Sequence, residues 1–80
     1  MSDVKYPSLD QIRAGAHVVV RELRADRELN GRFMLLGLAV GTAAEVLQNP
    51  FRGPMLIRAR NTLLAIGRDE ARQIIVEVSQ

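Results

Sequence analysis

Ala16-His17-Val18-Val19-Val20 can be written into a helix or a strand, and the choice sets the fold class of the whole chain. Three consecutive valines stiffen χ1 and favour extended backbone. Against them stands Pro7-Ser8-Leu9-Asp10-Gln11, just upstream, which has the form of a capping box. There the serine oxygen accepts from the third helical amide and Gln11 reaches back to the serine amide. Leu9, Ile12, Ala16, Val19 and Leu23 then recur at spacings of three and four, with Val20 beside them. The cap and the long stripe outweigh the five-residue strand and predict a first helix over residues 8–28.

The rest follows in the same style. Asn30-Gly31 is a turn dipeptide, because both residues tolerate positive φ. A second helix is expected over 32–48, ended by Asn49-Pro50, with a loop at 49–54. Pro54 suits the first position of a third helix over 54–66, and Gly67 its left-handed cap. Asp69 can cap a fourth element, in which Ala71, Ile74, Ile75 and Val78 share one helical face, although Ile74–Val78 is also strand-like. The expected fold is all-α, a three- to four-helix bundle in a single domain spanning residues 1–80, with 1–7 a flexible N-terminus. The alternative is α+β with a C-terminal strand.

Phe33-Met34-Leu35-Leu36-Gly37-Leu38-Ala39-Val40-Gly41-Thr42-Ala43-Ala44 carries no charge, and as a helix it is apolar on every side. Leu36, Val40, Ala43 and Leu47 form its main face, flanked by Phe33 and widened by Leu35, Ala39 and Val46, with Met34 and Leu38 well away. Twelve uncharged residues fall short of the roughly 20 needed to span a bilayer, so no membrane role is expected. An 80-residue chain buries only about 60–65% of its unfolded surface. Cysteine is absent, which excludes disulfides and thiolate zinc sites as supports. Oligomerisation is the remaining route. Phe33, Gly37, Gly41 and Ala44 are the expected homodimer or higher-oligomer interface, with the two glycines as a small-xxx-small ridge. The third helix has a second stripe, Ile57 and Leu64, free for another subunit or a target.

Catalytic and metal chemistry find little support. His17 is the only histidine and reads as part of a solvated face with Arg13, Arg21 and Arg24. No serine has an obvious base, Asp69-Glu70 suits a helix N-terminus, and neither GxxxxGK[ST] nor a strand-bound GxGxxG occurs. No enzyme activity, cofactor or metal is expected. Ten of the eleven basic residues are arginine, a skew that suits carboxylate or phosphate contacts and that a GC-rich genome also produces. Arg52, Arg58, Arg60 and Arg68 fall in a stretch without acids and form a candidate anion-binding region.

The expected function is a non-catalytic protein-interaction module: a small cytoplasmic regulator, adaptor or inhibitor, of the kind found among bacterial or phage accessory proteins, acting as a homo-oligomer on a partner protein. Phe51, Arg52, Ile57, Arg60 and Leu64 are its expected partner-facing residues. The alternative is a nucleic-acid- or nucleotide-binding protein that uses the Arg52–Arg68 arginines, although no aromatic platform or recognition helix accompanies them.

Overall fold

In the computed structural model, which describes residues 5–79, the three valines lie in a strand. A 3-10 turn at Leu9–Gln11 leads to β1 (His17–Leu23), α1 (Arg27–Leu35), β2 (Ala43–Gln48), β3 (Met55–Ala59), β4 (Thr62–Ile66), α2 (Arg68–Ala71) and β5 (Ile74–Val78). The strands form one antiparallel sheet in the order β4-β3-β2-β1-β5. The expected helical bundle is overturned: β1 replaces the middle of its first helix, β2 the end of its second, and the β3–β4 hairpin its third. Residues 74–78 form a strand and not a fourth helix.

The physical reason is a period of two within each apolar run. Ala16, Val18 and Val20 are buried while His17 and Arg21 point out, and Ala44 and Val46 are buried on either side of Glu45. Met55, Ile57 and Ala59, then Leu64 and Ile66, then Ile74 and Val76 continue the pattern. Val19, apolar but only half-buried, lets the same residues also fit a helical stripe. Half of the Ser8 capping box forms, with Ser8 N donating to Gln11 Oε1 at 3.4 Å while Ser8 Oγ donates to Asp10 Oδ1, and it closes a single turn. Ile12 is already extended at φ −91°, ψ 131°. Gly15, at φ +93°, then donates to the Val46 carbonyl at 2.7 Å, which starts the sheet. A local cap nucleates a helix, and extending it needs further favourable residues; the valines are poor at that.

Asn30-Gly31 is not a turn but the middle of α1. The helix is capped by Asp26, whose side chain accepts from Leu29 N at 2.8 Å. Asn30 ties α1 to the end of β1, accepting from Ala25 N at 3.0 Å and donating to the Leu23 carbonyl at 3.2 Å. Register shifts at Val20/Glu22 and Val46/Gln48 mark bulges, which increase local twist and bend the sheet around its contents. All five strands, with Leu9, Ile12, Phe33, Leu38 and Ala71, contribute to one core. The radius of gyration of 11.6 Å is that of a self-contained chain, for which about 12 Å is expected at this length. Core formation therefore makes no demand for a second copy.

Asn49 fastens the N-terminal turn to the β2–β3 loop. Its Nδ2 donates to the carbonyls of Asp10 (3.0 Å) and Ile12 (2.7 Å), and its Oδ1 accepts from Arg68 at 2.7 Å. Arg68 also donates to the Pro50 and Asp10 carbonyls. Asn49→Ala is expected to cost about 1–3 kcal/mol, read from urea unfolding, because it strips three partly buried partners at once.

Candidate interaction surface

The segment that follows Asp26 sets the most distinctive surface of the molecule. α1 ends in a Schellman motif: Gly37, in the left-handed region at φ +95°, donates to the Met34 carbonyl at 3.0 Å, and Leu38 N donates to the Phe33 carbonyl at 2.9 Å. Phe33 and Leu38, the pair that conventionally closes this motif, are both in the core. Gly41, at φ +94°, completes a turn in which Thr42 N donates to the Ala39 carbonyl at 3.0 Å. That turn is pinned to β1, because Gly41 N donates to the Val20 carbonyl at 2.7 Å and Val20 N to the Thr42 carbonyl at 2.9 Å.

With its two ends held, the segment turns its remaining apolar residues outward. Met34 is 58% exposed, Leu35 88%, Leu36 47% and Val40 61%. Four large apolar side chains exposed within seven residues, on backbone this well tied, make this segment the candidate interaction surface.

The candidate residues from the sequence are scattered by the fold. Phe33 and Ala44 are core residues, and Gly37 and Gly41 end a helix and make a turn instead of forming a packing ridge. The four residues therefore do not share one helix face. Ile57 and Leu64 also lie in the core, on β3 and β4. Phe51, 91% exposed, and Arg52 sit in the β2–β3 loop, at the opposite end of β3 from Arg60. Of the four arginines in the proposed anion region, Arg68 is bonded to three carbonyl-type oxygens and Arg58 pairs with Glu45 at 3.4 Å. Arg52 and Arg60 remain exposed at opposite ends, so the four do not make one basic patch.

Composition alone does not reveal that Met34, Leu35, Leu36 and Val40 are the residues of this apolar segment that stay exposed. The signal was Phe33-Met34-Leu35-Leu36-Gly37-Leu38, whose glycine sits at a helix end with a hydrophobic residue on each side of the cap.

Elsewhere on the surface several charges are paired. Arg21 pairs with Glu77 on β5 and lies 5.5 Å over the Tyr6 ring, and the hydrogen bond and charge of Glu77 raise its pKa above the ordinary guanidinium value. Such exposed pairs add at most a fraction of a kcal/mol, about 0–1. His17 approaches Glu45 at 3.8 Å, on the carboxylate that Arg58 also meets at 3.4 Å. Among the described residues no group of three or more His, Cys, Asp or Glu side chains is placed to hold a metal ion. No helix among them is long and apolar enough to cross a membrane.

Comparison with known proteins gives one consistent picture. The model of the FeoA domain matches residues 8–78. "Putative Fe(2+) transport protein A" of Methanocaldococcus jannaschii is 31% identical over 65 residues, covering 81% of this chain and 78% of that protein. The solution structure of the FeoA protein from Chlorobium tepidum superposes with a TM-score of 0.83 at 30% identity, over 91% of this chain and 70% of that one. The crystal structure of an iron uptake regulatory protein (FeoA) gives 0.84 at 22% identity, over 89% of this chain and 95% of that one. A manganese-dependent transcriptional repressor also gives 0.84 at 22% identity, where 95% of this chain matches 42% of the longer protein. These last two likenesses speak for the fold alone, a small SH3-like sheet.

Proposed function

The chain belongs to the FeoA domain family, and from that premise we propose that it is a non-catalytic docking module of an Fe(2+) transport system, binding a protein component of that system through Met34, Leu35, Leu36 and Val40. The observation that carries this reading is the exposure of those four side chains on a segment locked at Phe33, Leu38 and Thr42. A preformed apolar surface loses little conformational entropy when it binds, so it suits a permanent recognition role. Family membership and the printed name of the archaeal relative point to Fe(2+) transport as the setting.

Site-specific photo-crosslinking in the native host tests this. A benzophenone amino acid at position 35 is expected to capture a component of the Fe(2+) transport machinery, and one at position 51 to capture none. Crosslinks from position 51 alone would move the docking site to the Phe51–Arg52 loop, which is also exposed.

A further inference from the structure

Among the described residues, Arg60 is the one arginine that the fold holds in an unfavourable backbone conformation. It and Asn61 form the two-residue β3–β4 turn with φ of +53° and +62°, the left-handed region that such hairpins require and that glycine and asparagine fill most easily. Its side chain runs across the α1–β2 segment. Its Cδ lies only 3.3 Å from where a Cβ on Gly37 would stand, and with Gly41, Thr42 and Ala43 it lines a shallow hollow there. Among the described residues its guanidinium has no hydrogen bond or ion pair. Glu45 lines the adjoining hollow, but its carboxylate is paired with Arg58 and approached by His17. On the other side, exposed and also unpaired among the described residues, Arg32 precedes Leu36 by one helical turn, with Glu28 one turn earlier again. One arginine thus stands on α1 a turn before Leu36, and another lies against Gly37 and Gly41, the glycines of the same segment.

We infer that Arg60 is a specificity-determining residue of this surface, and that the partner segment it selects is an apolar one carrying a carboxylate at its margin. This rests on the docking role proposed for Met34, Leu35, Leu36 and Val40. Apolar contacts alone discriminate poorly among partners, whereas an unpaired guanidinium beside this segment rewards a matching acid and is itself left unpaired by an unmatched partner. Strain held at a turn that a glycine would relax fits a residue kept for contact and not for folding.

The test selects a phage-displayed random peptide library on the purified wild-type chain and on Arg60→Gly, Arg60→Lys and Leu35→Asp. Wild type is expected to enrich peptides with Asp or Glu beside Leu, Met or Phe, and synthetic versions to bind Arg60→Gly about 10- to 100-fold more weakly. Arg60→Lys should keep the acid preference. Arg60→Gly should melt no lower than wild type, since glycine relieves the turn, so lost binding cannot be lost folding. Enriched apolar peptides without acids, or equal binding to Arg60→Gly, overturn the inference while leaving the docking surface intact. Peptides that still bind Leu35→Asp as well as wild type show instead that the docking surface itself is wrong, and the inference falls with it. Arg60-dependent binding to phosphatidylglycerol vesicles, with no acidic peptides enriched, would overturn it in favour of a lipid surface.

Discussion

Phe33→Ala is expected to lower the unfolding free energy by about 3–5 kcal/mol, enough to leave a domain of this size barely folded. Phe33 is among the largest fully buried side chains. It is also the helix residue whose carbonyl receives the Leu38 amide at 2.9 Å, so its ring and its backbone both secure the end of α1. Truncation leaves a cavity beside Leu38 and loosens the segment that presents the apolar surface. The melting temperature should fall by more than about 10 °C, because each kcal/mol moves a domain of this length by roughly 4–8 °C. Met34→Ala, one residue along but exposed, should stay within about 0.5 kcal/mol of wild type. Equal losses for the two would mean that α1 packs through a different face.

Leu35→Asp is expected to do the opposite, destroying binding while sparing the fold. Leu35 is 88% exposed on the last turn of α1, so its replacement removes almost nothing from the core. At the centre of an apolar contact, however, a buried carboxylate has to be desolvated against Leu and Met neighbours. The loss of a central apolar anchor alone is worth about 2 kcal/mol or more, roughly a 30-fold weakening, and the charge adds to it. In a host lacking the wild-type chain, radio-iron uptake with Leu35→Asp should match that of the empty strain, and thermal melting should match wild type. Normal uptake by a stably expressed Leu35→Asp chain would remove the apolar surface from the function.

The two predictions separate residues that sit side by side in the sequence, and the sequence alone does not separate them. Phe33, Met34, Leu35 and Leu36 are all large and apolar, and on hydrophobicity alone each belongs inside. Their sorting depends on Gly37. Once it is placed at the C-terminal cap, Phe33 and Leu38 are the pair that closes inward and the residues between them are left outside. The Ser8–Gln11 turn was legible in this local way, whereas Asp26, the actual N-cap of α1, lay inside the first helix expected over residues 8–28. The error was to let the Ser8–Gln11 turn speak for the twenty residues after it.

What the chain settles by itself is therefore local and partial: the single turn at Ser8–Gln11 and the period of two in the apolar runs, but not every turn, since Asn30-Gly31 lies inside α1 and Gly67 takes φ −63°. These depend on sterics and hydrogen bonds between near neighbours. Whether Ala16–Val20 becomes a strand depends on partners far along the chain, since Val18 pairs with Ala44 on one side and Val78 on the other. A strand gains its hydrogen bonds only when those partners arrive, whereas a helix gains them from itself. That asymmetry makes helices easier to overread from sequence. It also left to the tertiary structure the decision that four apolar residues of a buried-looking segment would face outward.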